Sequence, residues 1–213
     1  QIRPTFLFGV PRVWEKIMDG MKAKGANNSF VKRKIVDMAK WVALNRNRAL
    51  ANSGGEYEWP ATTFGLHGFF NKLVYSKVKT VLGLDRCQLF GSGAAPISEN
   101  VLSYFWSLDI PVVEGFGMSE TTGISTMCVF PQKVRLGTVG FGICDNMIKI
   151  SEEQEILLRG RHIMMGYLNN EEKTREAFDD QGYLKTGDMG SLRPSPDGKV
   201  DLLTITGRIK ELV

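Results

Sequence analysis

Four glycine-rich segments, each carrying small or polar side chains, are the parts of this sequence best suited to bind a charged small molecule. In chain order they are GSGAAP (91–96), EGFGMSET (114–121), GYLKTGD (182–188) and GRIKE (207–211). Each stands where the hydrophobic pattern predicts that a strand ends or turns, and open α/β sheets bind ligands at such ends. We therefore expect a nucleotide pocket assembled from several loops.

The second segment, 114–121, carries the largest number of side chains that could contact a nucleotide or a metal ion. Gly115 and Gly117 would let a ligand approach the backbone closely and would place the ring of Phe116 against a flat base. Ser119 could donate to a phosphate oxygen, and Glu120 could hold magnesium, which proteins commonly bind with one or two carboxylates plus substrate phosphates. The alternative is a tight turn in which Ser119 caps a short helix.

The other three segments each allow a structural and a functional interpretation. Asp188 could accept hydrogen bonds from two ribose hydroxyls, or it could be an ordinary turn aspartate. Arg208 could pair with ribose or phosphate, or it could be an exposed charge at a strand end. The small residues of 91–96 could form a flat wall against adenine, or they could only permit close packing.

The first part of the chain predicts a mainly helical scaffold. A short buried strand at 5–9 precedes a helix that begins at Pro11, a second helix capped by Asn28 or Ser29, and a third helix at about 68–83. The residues predicted to face inward are Val10, Val13, Trp14, Ile17, Met18 and Met21 in the first, Val31, Ile35, Met38 and Val42 in the second, and Phe70, Leu73, Val74, Val78 and Val81 in the third.

From Cys87 onward the predicted secondary structure changes from mainly helices to alternating strands and helices. A strand at 87–90, a helix capped by Ser98 and a strand at 111–114 are typical of a parallel pair joined by a crossover helix. The predicted organisation is an α/β portion with a helical insertion at 1–130, a smaller β-rich subdomain at 131–206, and the start of a hinge at 207–213.

The β-rich part is predicted from short alternating runs. These runs are GTVGFG, MIKI, EILLRG, YLKTGD and VDLLTITG. A small helix is expected at about 170–179, and a hairpin turn is expected at Pro196, Asp197 and Gly198.

Basic residues are concentrated near the start of the chain. The formal net charge is +4, but residues 11–50 hold ten lysines and arginines against three acidic residues. Such helices can attract an anionic membrane surface, although a solvated face over a core is the simpler interpretation. No interleaving of aromatic and basic residues accompanies the charge, so we expect no nucleic-acid partner.

The cysteines and the hydropathy of the chain indicate its cellular environment. Cys87, Cys128 and Cys144 are widely spaced, with no CxxC pattern and no nearby histidine, so we expect buried apolar fillers in a reducing compartment and no zinc site. No apolar run approaches the roughly twenty residues that a membrane-spanning helix needs. A cytoplasmic location is the expectation, with peripheral contact to the endoplasmic reticulum or another membrane as the alternative.

Taken in order, GSGAAP, EGFGMSE, YLKTGD and GRIKE resemble the corresponding segments of the adenylate-forming superfamily of acyl-CoA synthetases, luciferases and peptide-synthetase adenylation domains. The resemblance covers nearly the whole chain. The opening TFLFGVPRVWEKI is similar to the long-chain fatty acyl-CoA synthetase branch, and GLHGFFNKLVYSKVKTVLGLDRCQ with EGFGMSE resembles its bubblegum subgroup. The implied fold class is α/β, as part of the large N-terminal domain of such an enzyme.

The resemblance implies a two-step ligase reaction. A fatty carboxylate would attack the α-phosphate of magnesium-bound ATP to give an acyl-adenylate and pyrophosphate, and the thiol of coenzyme A would then displace AMP. No covalent enzyme intermediate is implied, so the protein would contribute positioning and electrostatics. The expected partners are fatty acid, ATP, coenzyme A and Mg²⁺.

The resemblance also assigns roles to individual residues. Ser119 would contact phosphate, Glu120 would help hold magnesium, and Lys210 would lie at the hinge about which a C-terminal domain rotates. Asp188 and Arg208 would bind the ribose hydroxyls. The remaining nucleotide-binding residues would be Gly93, Ala94, Ala95 and Pro96 on one side of adenine, Glu114, Gly115 and Phe116 on the other, and Gly117 and Met118 beside them.

The sequence departs from the family pattern in a few places. Phe116 and Ser119 stand where the family often has tyrosine and threonine, which preserves the ring and the hydroxyl. Gln154, Glu155 and Ile156 replace a GEI or GEL turn, which leaves the backbone conformation of that turn open. The family's phosphate loop and C-terminal lysine do not occur among the 213 residues, so we expect this chain alone to bind adenylate weakly and to catalyse little.

Three other functions are compatible with these residues. The segments could belong to a nucleotide-binding module without turnover. The basic helices at 11–50 could serve a peripheral membrane protein or scaffold. An adenylating enzyme could also act on another carboxylate, such as an aryl acid or an amino acid, because the apolar residues of an acyl tunnel look like any core.

Overall fold

The computed structural model describes residues 2–58, 60–143 and 145–209. The chain folds as two compact units. Unit 1 contains the described residues up to Val113 together with Phe130–Gln132, and unit 2 contains Glu114–Val129 and the described residues from Lys133 onward. The division falls at Val113 rather than at residue 130, because the strand that passes through this point continues into a hairpin of unit 2.

Unit 1 is mainly helical. Its elements are β1 (Phe6–Gly9), α1 (Pro11–Ala26), α2 (Phe30–Asn52), α3 (Ala61–Phe70), a π-helical turn (Asn71–Tyr75), α4 (Ser76–Leu82), β2 (Leu89–Ser92) and α5 (Glu99–Trp106). β1 and β2 pair in parallel. Pro11 begins α1 as predicted, since the first helical position needs no amide hydrogen. The third predicted helix begins at Ala61, earlier than expected, and ends at Gly83 as predicted.

The core of unit 1 packs the middle of α2 against the following helices. Its buried cluster consists of Ala39, Val42, Ala43, Phe70, Val74 and Tyr75. The Tyr75 hydroxyl donates to the carbonyl oxygen of Ala39 at 2.6 Å, and the Asn47 side chain donates to the carbonyl oxygen of Trp106 at 2.9 Å. Small residues on α2 therefore allow its neighbours to approach closely.

Several residues that the spacing placed in the core are exposed instead. They are Val10, Val13, Val31, Ile35, Met38, Leu73 and Val81. On α2 the fully buried residues begin only at Ala39, and the turns before it are mostly exposed. The hydrophobic periodicity predicted the helix and the burial of Val42 correctly, but it did not predict that Ala39 and Ala43 form the centre of the buried face.

Unit 2 consists of antiparallel strands. They are β3 (Val112–Met118, which begins in unit 1), β4 (Gly123–Met127), β5 (Phe141–Gly142), β6 (Met147–Ile150), β7 (Glu155–Arg159), β8 (Leu184–Pro194) and β9 (Asp201–Arg208), with one short helix, α6 (Glu171–Glu176). β3, β4 and β5 pair in that order. β6, β7, β8 and β9 form a four-stranded sheet. The β-rich subdomain and its short helix are thus as predicted.

The two sets of strands in unit 2 share one core. Its buried residues are Phe116, Val139, Ile156, Leu158 and Leu203. Val139 donates its amide to Leu203 at 2.8 Å, and Leu203 donates in turn to Gly140 at 2.7 Å. The predicted hairpin turn joins β8 to β9, and the amide of Ser195 donates to Val200 across it at 2.7 Å. This core fixes the β3–β4 hairpin and the β8–β9 hairpin within one rigid unit.

The cysteines agree with the sequence only in part. Cys128 is buried as predicted, Cys87 is partly exposed, and Cys144 lies outside the described residues. Gly207 and Arg208 are the last residues of β9, and the start of a hinge at 207–213 stays a prediction. No described helix is both long enough and apolar enough to cross a membrane.

Candidate functional site

The segment at 114–121 forms a hairpin rather than a loop after a strand. β3 continues to Met118 instead of ending at Glu114, and a 3-10 turn over Ser119–Thr121 leads directly into β4. Ser119 is exposed at the start of this turn, and its carbonyl oxygen accepts the amide of Thr122 at 3.1 Å. The hairpin therefore presents Ser119 and Glu120 at its tip.

The glycines of this hairpin are required by strand pairing. A Cβ atom on Gly117 would lie 1.8 Å from the carbonyl oxygen of Gly123, and one on Gly115 would lie 3.0 Å from that of Thr126. The register shifts between Phe116 and Gly117, which is a β-bulge. The absence of a Cβ atom therefore lets β4 approach β3 closely, and the role of these glycines in ligand approach stays a prediction.

Phe116 lies mainly in the core. Its side chain is only 8% exposed and packs in the buried cluster that includes Ile156 and Leu203. The residue was expected to offer its ring to a base, but strand alternation directs it inward at this position. Only the small exposed part of the ring could meet a base, so its role in nucleotide binding stays a prediction.

Thr121 holds the turn that carries Ser119 and Glu120, and sequence analysis missed it. Its hydroxyl oxygen accepts the amide of Met118 at 3.0 Å and donates to the carbonyl oxygen of Gly123 at 2.7 Å. Thr121 is 1% exposed. Threonine hydroxyls commonly bond to nearby backbone in turns, so its position after Glu120 was the signal that could have identified it.

Glu120 is held by a tyrosine from a distant part of unit 2. The Tyr167 hydroxyl donates to Oε1 of Glu120 at 2.9 Å, and the amide of Met164 donates to the Glu120 carbonyl oxygen at 2.8 Å. The hydrogen bond to Glu120 is the main cause that raises the pKa of Tyr167. Tyr167 was not predicted as a site residue, although it follows a glycine in a segment rich in turns.

His162 ties the segment of Met164 and Tyr167 to the hairpin. Its carbonyl oxygen accepts the Thr122 hydroxyl at 2.7 Å, and its Nε2 lies 3.0 Å from Oγ of Ser125 on β4. Four hydrogen bonds from residues 162–167 thus brace the hairpin, so Glu120 is presented in a defined orientation.

Glu114 differs from Glu120 in its surroundings. It is partly buried on β3, and burial raises the pKa of its carboxyl group to about 7. Its carbonyl oxygen accepts the amide of Cys128 at 3.0 Å. Near neutral pH this side chain is therefore divided between its protonated and ionised forms, and it can donate or accept a hydrogen bond.

Asp188 and Arg208 face each other on neighbouring strands. They are directly opposite in the β8–β9 register, and Nε of Arg208 donates to Oδ1 of Asp188 at 3.1 Å. Asp188 is 8% exposed, whereas the arginine side chain is 68% exposed. The structure brings together these two predicted ribose-binding residues.

The loop before Asp188 is fixed by side-chain contacts. Oγ1 of Thr186 accepts the amide of Asp188 at 3.1 Å and donates to the carbonyl oxygen of Ile156 at 2.8 Å. The amide of Gly187 donates to Oε1 of Glu155 at 2.8 Å. β7 therefore holds the start of the loop, and Glu155 and Thr186 are positioning residues that the sequence analysis missed.

The structure gives the backbone conformation of the turn before β7, where Gln154 stands in place of the glycine of the family pattern. Gln154 adopts φ +67°, the left-handed conformation in which a residue with a side chain is strained. Its carbonyl oxygen accepts the amide of Gly190 at 2.9 Å, which links this turn to β8. Gln154 thus adopts a conformation that glycine reaches without strain.

The fourth segment, GSGAAP, belongs to unit 1. It follows β2, and the indole of Trp14 donates to the carbonyl oxygen of Gly91 at 3.1 Å. Gly93 is buried, Ala94 takes φ +68°, and Ala94, Ala95 and Pro96 are exposed. The segment thus ends in an exposed loop of small side chains, and its role against adenine stays a prediction.

The donor set at Glu120 suits a metal that is shared with substrate. Within residues 2–58, 60–143 and 145–209, no group of three or more histidine, cysteine, aspartate or glutamate side chains could hold a metal ion. Magnesium is usually bound by one or two carboxylates and substrate phosphates, so the single carboxylate of Glu120 is compatible with a magnesium ion that substrate phosphates also bind. Lys210, the predicted hinge residue, lies outside the described residues.

The chain is similar to curated acyl-CoA ligases along its whole length. It is 44% identical over 218 residues to "Long-chain-fatty-acid--CoA ligase ACSBG2" of Xenopus laevis and 46% identical over 218 residues to the ACSBG2 ligase of Gallus gallus. It is 39% identical over 218 residues to the human ACSBG1 ligase. Each match covers 100% of this chain but only 28%, 27% and 28% of the respective relative.

Two solved structures show a similar fold. ATP-bound MatB from Rhodopseudomonas palustris matches 68% of this chain and 30% of its own, with 26% identity and a TM-score of 0.54. A malonyl-CoA ligase in complex with methylmalonyl-CoA and AMP matches 96% and 34%, with a TM-score of 0.56, but at 23% identity it shows the fold alone. The family model of AMP-binding enzymes matches residues 1–168, so this chain belongs to the AMP-binding enzyme family.

Proposed function

We propose that the protein containing this chain is a long-chain fatty acid–CoA ligase that works through an acyl-adenylate. The relatives that match the whole chain carry that name, and the β8–β9 hairpin sets Asp188 opposite Arg208, the two residues expected to bind the ribose. This strand-paired couple is the observation on which the proposal mainly rests. The substrate would be a fatty carboxylate, with ATP and coenzyme A as cosubstrates.

The hairpin pair suits the ribose of the nucleotide. A carboxylate can accept hydrogen bonds from both vicinal hydroxyls, and the exposed guanidinium beside it can donate to a ribose or phosphate oxygen. Hydrogen bonds to a charged group are stronger than those between neutral groups. The pair would therefore fix the sugar, and with it the position of the α-phosphorus.

The β3–β4 hairpin suits the phosphates. Its exposed Ser119 hydroxyl would donate to a phosphate oxygen, and the carboxylate of Glu120 would bind Mg²⁺ together with substrate phosphates. When bound, the magnesium ion would neutralise negative charge on the phosphates. Thr121 and Tyr167 would hold the two side chains in place.

The chemical steps balance without a covalent protein intermediate. A carboxylate oxygen of the fatty acid would form a bond to the α-phosphorus as the bond to the bridging β-phosphate oxygen breaks, which releases pyrophosphate. The sulfur of coenzyme A, after losing its proton, would then attack the acyl carbon and release AMP. The residues of this chain would contribute orientation and electrostatic stabilisation.

The test is carboxylate-dependent exchange of pyrophosphate into ATP by the full-length protein. The panel contains fatty acids of increasing chain length, aryl acids and amino acids. We expect the fastest exchange with long-chain fatty acids, and we expect Glu120→Gln to lower it by about 100-fold because electrostatic stabilisation is lost. Glu152→Gln changes an exposed carboxylate on a turn of the same unit and is the matched control.

Three results would contradict the proposal. Absence of exchange with every carboxylate, combined with retained AMP binding, would leave a nucleotide-binding module without turnover. A preference for aryl or amino acids would replace the substrate class. Equal exchange by the wild type and Glu120→Gln would remove the assigned role of the β3–β4 hairpin.

A further inference from the structure

The first turns of α2 expose large apolar side chains, of which Val31 and Met38 were predicted to face the core. Phe30, Val31, Met38 and Trp41 are 67%, 65%, 58% and 66% exposed. At the helical repeat of roughly 100° per residue, all four fall within an arc of about 100° on one side of the helix. Such a face is much more apolar than an ordinary solvated helix surface.

One cationic side chain, that of Lys34, falls within this apolar arc, whereas Arg33 and Lys32 fall about 60° and 100° beyond its two edges. Lys32, Arg33 and Lys34 are exposed, and none of them forms a salt bridge with another described residue. The ammonium group of Lys34 lies 5.6 Å from the ring centroid of Phe30. We call the five residues Phe30, Val31, Lys34, Met38 and Trp41 the α2 face, which Arg33 and Lys32 flank.

A basic groove adjoins the α2 face within unit 1. It has a volume of about 340 Å³, and Trp41 lines it together with Lys22, Lys40 and Tyr104. The two ammonium groups lie 5.4 and 4.8 Å from the centroid of the Tyr104 ring. Burial lowers the pKa of Lys40, and the charge of Lys22 lowers it further, although Asp37 opposes the shift.

The lining of this groove favours an anion. Besides the two lysines it offers the polar side chains of Asn100, Ser103 and Ser107, and it contains no carboxylate. Two like charges that converge on one ring repel each other, and a phosphate between them would relieve that repulsion. Because Trp41 belongs to both features, the groove and the α2 face form one continuous surface.

We propose that this surface docks on the headgroup region of an anionic phospholipid bilayer. Phe30, Val31, Met38 and Trp41 enter the boundary between headgroups and acyl chains, as the apolar face of an interfacial helix does. Lys34 and the flanking Arg33 contact lipid phosphates, and the groove at Lys22 and Lys40 receives a further one. This inference does not depend on the ligase chemistry proposed above.

Charge complementarity selects a lipid surface over a protein partner. Residues 11–50 hold ten basic and three acidic residues, so the field around the α2 face is strongly positive. Cores of protein–protein interfaces are depleted of charged residues, above all of lysine, whereas interfacial membrane helices combine lysine and arginine with tryptophan and phenylalanine. An anionic bilayer satisfies the apolar and the cationic side chains together.

The test is flotation of the full-length protein with vesicles of phosphatidylcholine alone or with about 30% phosphatidylserine. We expect binding that requires phosphatidylserine and weakens as the salt concentration rises. Arg33→Ala with Lys34→Ala should lower the partition coefficient by about 25-fold, at roughly 5-fold per charge. Phe30→Ser with Trp41→Ser should lower it by at least about 10-fold.

The matched control removes one cation and one exposed apolar residue from α4. Lys77→Ala with Val81→Ser should bind vesicles like the wild type, because both residues are exposed outside the α2 face. Tryptophan quenching by brominated lipid should also fall in Trp41→Phe, a change that conserves an exposed aromatic side chain. Retained circular dichroism would show that the variants are folded.

Failure to bind anionic vesicles would overturn the proposal, and it would indicate that another part of the protein or a protein partner covers the α2 face. Equal binding by the wild type and by the variants of the α2 face would overturn it as well. Vesicle binding that fails while pyrophosphate exchange succeeds would leave the ligase proposal intact, and the reverse outcome would leave the docking surface intact.

Discussion

Three carboxylates in the two units differ in the kind of side chain that bonds to them. In unit 1, Asp109 is surrounded by three basic side chains: Lys79 at 2.9 Å, His67 at 3.3 Å and Arg46 at 3.7 Å. In unit 2, Glu120 accepts the neutral hydroxyl of Tyr167. Asp188, also in unit 2, pairs with the largely exposed guanidinium of Arg208.

The difference separates a structural role from a binding role. Asp109 lies in the left-handed conformation after α5 and ties α2, α3 and α4 to that point, so its charge is used within the protein. Glu120 stands at a hairpin tip, and the Arg208 partner of Asp188 reaches into solvent. Side chains with a neutral or an exposed partner can accept a ligand at a smaller cost than a carboxylate buried among cations.

The largest effect expected from this comparison is the loss of stability in Asp109→Asn. The change leaves three basic groups without their carboxylate in a mostly buried place, and it should lower the free energy of unfolding by about 3 kcal/mol. Denaturant unfolding of the protein measures this value. Asp145→Asn is the control, because its ion pair with Arg161 is exposed and should contribute less than about 0.5 kcal/mol.

Protonation of Asp109 on acidification should also lower the free energy of unfolding. Burial alone would raise the pKa of Asp109, but the His67 hydrogen bond and the Lys79 charge lower it from 3.8 to about 2. The folded state therefore holds this proton less tightly than the unfolded state, and the stabilisation is present above pH 3.8 and lost as the pH falls toward 2. About 2 kcal/mol should be lost over this window in the wild type and not in Asp109→Asn.

If Glu120 is oriented by a neutral donor, removing that donor should affect catalysis more than stability. Tyr167→Phe should raise the KM for magnesium-bound ATP by about 5-fold, since one hydrogen bond contributes roughly 1 kcal/mol. Steady-state kinetics of the full-length protein measure this change. Leu168→Ala alters an exposed neighbour and should leave the KM as it is, whereas an unchanged KM in Tyr167→Phe would show that the carboxylate needs no such donor.

The smallest predicted effect lies in the turn that supports β8. Gln154→Gly removes the strain of a left-handed glutamine but makes the unfolded chain more flexible, so the free energy of unfolding should rise by only about 0.5 kcal/mol. Thermal unfolding would record it as a small increase in Tm. A decrease would mean that the glutamine side chain contributes contacts that offset its strain.

Much of the fold of unit 2 follows from local signals. Alternating apolar residues predicted β6, β7 and β9, and the turn at 196–198 predicted the β8–β9 hairpin. The pairing of Asp188 with Arg208 did not follow from either segment alone, because register across a hairpin depends on bulges as well as on turn length. The bulge between Met189 and Gly190 sets it here.

The glycines at 115 and 117 show that a motif can have a structural role that its sequence does not reveal. Both were assigned to ligand approach, and the structure adds that a Cβ atom at either position would lie 3.0 Å or less from the backbone of β4. Contacts between segments that lie apart in sequence decided the matter, as they did for Tyr167 and Glu120. The same limit applies to α2, where spacing predicted an apolar face and only packing could show that Ala39 begins the buried part.

Binding of AMP to the full-length protein, measured together with its stability for Asp188→Asn and Asp109→Asn, tests the central distinction most directly. We predict that Asp188→Asn raises the Kd for AMP by at least about 10-fold, since it weakens hydrogen bonds to a charged acceptor, while the free energy of unfolding changes by about 1 kcal/mol or less. Asp109→Asn should show the opposite pattern, with lower stability and an unchanged Kd at a temperature where it is folded. Wild-type affinity for AMP in Asp188→Asn would contradict the assignment of the β8–β9 hairpin to the nucleotide.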